Sequence, residues 1–280
     1  MFDTHCHLNF KAFDGKVEEV VERARKAGVN YFVVPGTDVE TSKKAIEIAE
    51  KFNGIYAAVG IHPHHVFGSA RQFLSHESLT PLNEIKKIEE LLTNKKVVAV
   101  GEVGLDKHIY KKTKYQDYKV YPEFIEGQKE FLKAQIELAV KYKKSLILHN
   151  RQTKTDLLKI IVEPAVAKDL AGKAVFHCCE PDIELLEFAK RHKIYIGVDG
   201  DVTYWKEKQN FVKKIPLEQL VLETDSPFLS PKPLRSETNE PKNLDLIASF
   251  IAKQVNITKD KLIKITKENS KKLFQIDLKT

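Results

Sequence analysis

Residues 145–150 read SLILHN, a short apolar run that ends in a histidine and an asparagine. Similar runs recur along the chain, and stretches with helical spacing of apolar residues separate them. Strands that are apolar on both faces are typical of a parallel sheet, because helices cover both faces of such a sheet. The predicted strands lie at 1–7, 31–36, 55–62, 96–104, 145–150, 173–179, 194–200 and 220–227.

The order of these segments predicts the fold. Eight strand–helix units within roughly 225 residues are typical of a (β/α)8 TIM barrel rather than of an open sheet. We expect Gly28 to end one of the helices and Asp182 to cap another. Residues 1–280 are predicted to form a single domain, and the tail at 242–280 to form one or two closing helices.

Composition narrows the function classes. Hydrophobic residues make up 42% and charged residues 30% of the chain, which is typical of a soluble globular protein. No apolar run is long enough to span a membrane and no signal peptide is visible, so we expect a cytoplasmic protein without a membrane partner. The net charge of +7 fits a polyanionic partner. Cys6, Cys178 and Cys179 follow no disulfide or zinc spacing, and we expect them to be reduced.

Two long insertions are expected at the C-terminal ends of the strands, the end at which barrel enzymes carry their sites. They cover residues 63–94 and 105–124, after the third and fourth strands. The second insertion contains several tyrosines among lysines. This pattern is typical of surfaces that bind single-stranded nucleic acid by base stacking and phosphate contacts. Ordinary packing of a long loop is the alternative. The aromatic residues concerned are Tyr110, Tyr115, Tyr118 and Tyr121, with Tyr204 and Trp205 after the seventh strand.

Residues that can bind metal ions are concentrated at the predicted strand ends. His5 and His7 are two positions apart, so on an extended strand both imidazoles face the same way. Any one of these residues has another explanation, such as a core histidine or a turn cap. Their common position at one end of a barrel favours a metal site. The predicted ligands are His5, His7, Glu102, His149, His177 and Asp225.

The motifs around these residues resemble those of the TatD family of metal-dependent deoxyribonucleases, which are amidohydrolase-like barrels. The resemblance covers nearly the whole chain, with the motifs in the expected order. GEVGLD and ETDSPFLSP are the specific signals among them, whereas GIHPH alone would be weak. The matching segments are DTHCHL at 3–8, GIHPH at 60–64, GEVGLD at 101–106, LILHNR at 146–151, ETDSPFLSP at 223–231 and NEP at 239–241.

Three segments depart from the family pattern. HCCEPD at 177–182 replaces the usual His-Cys-Phe-Ser-Gly, and KHIYKK at 107–112 replaces an aromatic pair. Arg235 stands three residues before the place where an arginine commonly precedes Asn-Glu-Pro. These changes surround the expected substrate rather than the metal ligands, so they bear on substrate preference.

The resemblance implies a centre with two divalent ions. Glu102 would bridge them, with His5, His7 and Asp225 on one side and His149 and His177 on the other. Imidazole and carboxylate ligands suit Zn, Mn or Co, and a carboxylate-bridged pair also suits Mg.

Four residues are predicted to take part in catalysis or substrate binding. Asp225 would position or deprotonate the attacking water, and Glu102 would serve catalysis as the bridging ligand. His62 would contact the phosphate or protonate the leaving oxygen, unless it only caps its loop. Arg151 would bind a phosphate oxygen, unless it forms a structural salt bridge.

The resemblance implies a nuclease that removes nucleotides from single-stranded DNA in the 3′ to 5′ direction. A different metal-dependent hydrolase is the alternative, acting on an ester or amide bond, as in the deacylation of D-aminoacyl-tRNA. A third possibility is a metal-binding scaffold without catalysis, against which the complete ligand set argues. The expected partner is therefore nucleic acid, either single-stranded DNA or, in the alternative, RNA or tRNA, with no obligate protein partner evident.

Overall fold

Eight parallel strands, each paired with the next in chain order, form the sheet of this protein. The structure is a computed structural model that describes residues 1–68, 82–111 and 113–277. The strands are β1 Phe2–Asp3, β2 Tyr31–Pro35, β3 Ile55–Val59, β4 Val97–Asp106, β5 Ser145–Arg151, β6 Ala174–Phe176, β7 Tyr195–Val198 and β8 Leu220–Leu222.

Hydrogen bonds join the last strand to the first. The backbone N–H of Thr4 donates to the carbonyl of Leu222 at 3.0 Å, and Cys6 forms a parallel bridge with Ser226. The sheet therefore curls into a nearly closed barrel, and the predicted (β/α)8 architecture is confirmed.

Helices follow the strands around the outside of this barrel. In the described residues they are α1 Val17–Lys26, α2 Val39–Lys51, α3 Leu82–Leu91, α4 Pro122–Lys141, α5 Lys154–Ile161, α6 Pro164–Leu170, α7 Ile183–His192, α8 Lys206–Val212, α9 Leu244–Gln254 and α10 Lys259–Phe274. None of them is long and apolar enough to cross a membrane.

Several local predictions are confirmed. Gly28 follows the end of α1 with a φ of +85°, a conformation that glycine adopts without strain. Asp182 caps α7, since its carboxylate accepts the backbone N–H of Leu185 at 2.9 Å. The tail contains two helices, α9 and α10, and the three cysteines are free thiols.

Each strand differs from its predicted range at one end or both, and several of these differences concern predicted ligands. The eighth strand ends at Leu222, so Asp225 lies beyond it. The first strand ends at Asp3, so His5 and His7 lie in an extended segment beyond it, on either side of the bridge at Cys6. Glu102 lies inside β4 instead of at its end, because β4 continues to Asp106. Of the first insertion, residues 69–81 lie outside the described residues, as does Lys112 in the second.

The interior of the barrel is apolar at one end, which we call the lower end, and polar at the other, where the strands have their C-terminal ends. Side chains such as Val33, Ala58 and Ile147 fill the lower interior and are almost fully buried. The end of α10 covers the bottom, where the rings of Phe2 and Phe274 stack with centroids 6.0 Å apart. Polar groups at the upper end therefore rest on a dry, closely packed base.

Candidate metal centre

The six predicted ligands meet at the C-terminal end of the barrel, although no metal ion is part of the structure. Two extended segments bring the first three together. The backbone N–H of Asp225 donates to the carbonyl of His5 at 2.9 Å, and that of His7 donates to the carbonyl of Ser226 at 2.7 Å. These bonds hold His5 and His7 beside Asp225, and all three residues are buried.

The first group of ligand atoms has the spacing of a coordination sphere. His5 Nε2 and His7 Nε2 are 3.1 Å apart. Glu102 Oε2 lies 3.5 and 3.6 Å from these two nitrogens, and Asp225 Oδ1 lies 3.7 and 3.5 Å from them. Ligands about 2.1 Å from a tetrahedral zinc ion are about 3.4 Å from one another. His5, His7 and Asp225 offer three ligand atoms that all lie within 4.8 Å of one another, and Glu102 Oε2 lies beside the two histidines.

A second group converges on the other oxygen of Glu102. Glu102 Oε1 lies 2.8 Å from both His149 Nδ1 and His177 Nε2. His62 Nε2 is 3.5 Å from the same oxygen. Each carboxylate oxygen of Glu102 thus faces a different set of histidines, so Glu102 would contribute a ligand atom to each group.

The outer nitrogens of two histidines show that their inner nitrogens can bind metal. His7 Nδ1 lies 3.3 Å from the carbonyl of Pro35, and His149 Nε2 lies 3.1 Å from Asp106 Oδ2. Both partners accept hydrogen bonds, so the ring protons are assigned to these outer nitrogens. When a metal ion replaces any proton on them, the inner nitrogens would present lone pairs to the centre, as metal-binding histidines do. The residues present therefore fit divalent metal ions.

The pKa values in the second group show that it attracts positive charge. Burial lowers the pKa of His149, but hydrogen bonds to Asp106 and Glu102 outweigh burial and raise it to about 10. Burial likewise lowers the pKa of His177, but Glu102 raises it to about 9. Burial raises the pKa of Glu102, yet the surrounding histidines hold it well below its usual value. Such surroundings favour a cation, either a proton or a metal ion.

The position of Glu102 depends on an irregularity in β4. The pairing register between β4 and β5 shifts between Val100 and Val103, so the regular ladder is interrupted at Glu102. Its side chain is 5% exposed and reaches both ligand groups from the middle of the strand. Bulges of this kind re-aim a side chain next to a functional site.

Two further carboxylates touch the cluster and were not among the predicted site residues. Asp106, the last residue of β4, contacts His149. Glu223 Oε1 lies 3.7 Å from His177 Nδ1 and also accepts the backbone N–H of Cys178. Both are carboxylates at strand ends, within GEVGLD and ETDSPFLSP, and that signal would have identified them by the same criterion as the six ligands.

His62 and Arg151, for which roles toward the substrate are predicted, lie beside the second ligand group and at the end of β5, respectively. His62 Nδ1 accepts the backbone N–H of His64 at 3.1 Å, so a capping contact and a nitrogen that faces the centre coexist in one side chain. The guanidinium of Arg151 lies 5.7 Å from the centroid of the Tyr110 ring. No carboxylate of the described residues forms a salt bridge with Arg151, so its charge remains available to a ligand.

The tyrosines of the second insertion pack mainly against the protein itself. The Tyr110 hydroxyl donates to Asp106 at 2.6 Å, Tyr115 to the carbonyl of His65 at 3.1 Å, and Tyr118 to the carbonyl of His108 at 3.4 Å. Their rings contact one another, His64, Phe67 and Phe124. The insertion therefore forms a packed wall beside the centre, and base stacking on it stays a prediction.

Comparison with known proteins decides the family. A family model described as TatD related DNase matches residues 2–275. The chain belongs to the TatD family. It is 36% identical over 279 residues to YabD, an uncharacterized metal-dependent hydrolase of Bacillus subtilis, and the match covers 99% of this chain and 100% of that protein. This TatD-family chain is therefore a metal-dependent hydrolase, and the resemblance deduced from its motifs is confirmed.

Two other relatives extend the comparison. Human TATDN3, named a deoxyribonuclease, is 28% identical over 281 residues, which cover 98% of this chain and 94% of that protein. The crystal structure of YjjV, a TatD homolog from Escherichia coli, superimposes with a TM-score of 0.82 at 28% identity, covering 99% of this chain and 98% of that one. The similarity between this chain and YjjV thus covers almost the full length of each.

Proposed function

We propose that this TatD-family hydrolase cleaves phosphodiester bonds of DNA, acting as a 3′ to 5′ exonuclease on single strands with two divalent ions. The observation that carries the proposal is the position of Glu102, with one carboxylate oxygen toward each group of histidines. When bound, such a pair of ions supplies Lewis acidity, an acidified water and a clamp on the attacking and leaving oxygens. Zn, Mn and Mg are the candidate ions.

Asp225 is the proposed proton acceptor for the attacking water. Its carboxylate is buried beside His5 and His7, and its backbone has a φ of +51°, a left-handed conformation that Asp adopts more readily than most non-glycine residues. The bond from its backbone N–H to the carbonyl of His5 holds this conformation in place. The Asp225 carboxylate is thereby held beside the first ligand group, where it would accept a proton from a water bound next to it.

His62 is the proposed donor to a phosphate oxygen. Burial lowers its pKa well below the usual value, so the ring is neutral at pH 7. Because its Nδ1 accepts the backbone N–H of His64, the single ring proton resides on Nε2, which points to the centre. A neutral N–H in this position stabilises negative charge on a phosphate without repelling the cations.

Nucleic acid is the proposed substrate class for three reasons. Arg151 adds a fixed positive charge at the rim, supported by the Tyr110 ring. The net charge of +7 attracts a polyanion. The human relative TATDN3 is named a deoxyribonuclease. We propose further that residues 1–280 act as one hydrolase domain, since hydrogen bonds join the first and last strands of the barrel.

The proposal is tested with single-stranded DNA labelled at the 5′ end or at the 3′ end. Protein stripped with a chelator receives Mg, Mn or Zn, one at a time, and Glu102→Gln serves as the control. We expect a ladder of 5′-labelled products that shortens from the 3′ end, and no cleavage by the control. Absence of cleavage with every ion would overturn the proposal, and hydrolysis of a D-aminoacyl-tRNA in the same samples would establish the alternative activity.

A further inference from the structure

Phe228 is an exposed aromatic side chain at the edge of the metal centre. It is 50% exposed, whereas most large apolar side chains of the described residues are buried. Its ring centroid lies 6.3 Å from that of His7, a predicted ligand, and 6.1 Å from that of Phe10. The interplanar angles are 71° and 75°, so neither neighbour stacks flat on the Phe228 ring.

The backbone fixes Phe228 relative to the centre. Its N–H donates to the carbonyl of Asp225 at 2.9 Å. Asn239 Nδ2 donates to the carbonyl of Phe228 at 2.7 Å and to that of Thr224 at 2.8 Å. The Phe228 backbone is therefore fixed on the same turn as the ligand Asp225, so that only the side-chain rotamer has to be ordered when the ring receives a partner.

Other aromatic residues around the mouth are less available. The hydroxyls of Tyr110, Tyr115 and Tyr118 are bonded within the packed wall, and their rings contact one another or their neighbours. Arg235 lies over the Tyr204 ring with its guanidinium carbon 4.0 Å from the centroid, so one face of that ring is covered. Phe228 combines exposure with direct proximity to a ligand histidine.

We propose that Phe228 is a stacking platform for the base next to the phosphate that occupies the metal centre. This inference rests on the proposed nuclease function and adds how the substrate is held. Stacking on a single phenyl ring accepts any base, so the platform would hold the end of a strand without reading its sequence. A phosphate between the two ligand groups and a base on Phe228 would place one nucleotide across the rim beside His7.

The test compares two oligonucleotides of the same length. One carries bases throughout, and the other has abasic residues at its two 3′-terminal positions. Base–aromatic stacking corresponds to roughly 5- to 150-fold in affinity. We therefore expect Phe228→Ala to raise KM within that range for the first oligonucleotide and to change KM little for the second. Phe228→Trp should restore the wild-type KM, since the larger ring also stacks.

Val162→Ala is the matched control, because Val162 is 49% exposed and follows α5, away from the metal centre. It should leave both KM values unchanged. An equal KM for wild type and Phe228→Ala on the first oligonucleotide would overturn the platform. An equal rise on both oligonucleotides would also overturn it, because it would indicate a structural role. A wild type that cleaves neither oligonucleotide would refute the nuclease function itself, and the platform with it.

Discussion

Asp106 Oδ2 lies 3.1 Å from His149 Nε2, while Nδ1 of the same ring lies 2.8 Å from Glu102 Oε1. One imidazole thus links a carboxylate outside the centre to the carboxylate inside it. Asp106 is itself held by the Tyr110 hydroxyl and by the backbone N–H of His108, each at 2.6 Å. The second insertion therefore helps to fix the orientation of His149 through the ring nitrogen that faces away from the centre.

This relationship predicts that Asp106→Asn weakens metal binding. The amide keeps the shape but removes the charge that increases the basicity of His149, and loss of such a supporting group costs roughly 10- to 100-fold in metal affinity or activity. The affinity for Zn or Mn is measured by titration of stripped protein. Asp156→Asn is the control, since Asp156 pairs with Lys107 and Lys129 instead of a histidine. Equal affinities for Asp106→Asn and wild type would refute the role of Asp106.

Arg151 is predicted to bind phosphate. Arg151→Gln should raise KM for DNA. It should also reduce the slope of log affinity against log salt concentration by about one, because one fewer counterion is released on binding. Binding to a labelled single strand is measured at several salt concentrations. Arg191→Gln provides the comparison, because Arg191 is exposed in the last turn of α7. If both variants show the wild-type salt dependence, Arg151 does not contact the phosphate.

A buried ion triad predicts a large effect on stability. Lys208 is fully buried, and its Nζ lies 2.6 Å from Asp199 Oδ2 and 2.7 Å from Asp201 Oδ1. Lys208→Met leaves two buried carboxylates without their cation and should lower the free energy of unfolding by about 3–5 kcal/mol. Urea denaturation measures the change. Lys206→Met, at an exposed position of the same helix, should stay within about 0.5 kcal/mol of wild type. A similarly small change for Lys208→Met would contradict the account.

Asp38 predicts a stability contribution that depends on pH. Burial raises its pKa, but hydrogen bonds from Thr41 and Lys114 outweigh burial and lower the pKa to about 2. A lowered carboxyl pKa stabilises the fold above the unfolded value of about 4, and this contribution is lost as pH falls through 2. Asp38→Ala also removes the N-cap of α2. The substitution should lower the free energy of unfolding by about 1–2 kcal/mol at pH 7. This range already allows for the partial exposure of Asp38 to solvent.

Urea denaturation of wild type and Asp38→Ala at pH 7 and pH 3 checks this expectation. The difference between the two proteins should shrink at pH 3, because the unfolded carboxyl is then largely protonated. Asp14→Ala is the control, since the pair of Asp14 with Lys44 is exposed and should contribute less than about 1 kcal/mol. A difference that is the same at both pH values would show that the charge of Asp38 has no part in stability.

The sequence predicted the barrel because its signals are local. Apolar runs such as LILH and VVAV indicate strands that are buried on both faces. Asp182 indicates a helix start, because Asp directly before a helical pattern is a common N-cap residue. The ligand residues were recognisable because histidines and carboxylates at strand ends have few other reasons to occur together. His5 and His7 face one centre, as their spacing predicted, even though β1 ends before them.

Features that depend on tertiary contacts were not predictable in this way. The register shift that places Glu102 inside β4 arises from pairing with β5, far along the chain. The contacts of Asp106 with His149 and of Glu223 with His177 likewise join distant segments. The tyrosines of the second insertion suggested a stacking surface, but their hydroxyls found backbone and carboxylate partners that only the folded chain provides.

The most direct test of the metal centre is the number of ions bound per chain. Stripped wild type and Glu102→Gln are dialysed against excess Zn or Mn, and the bound metal is measured by elemental analysis, with circular dichroism to confirm the fold. The account predicts two ions per wild-type chain and fewer than two in the folded variant, because Glu102 faces both ligand groups. One ion or none in wild type, or two ions in Glu102→Gln, would contradict it.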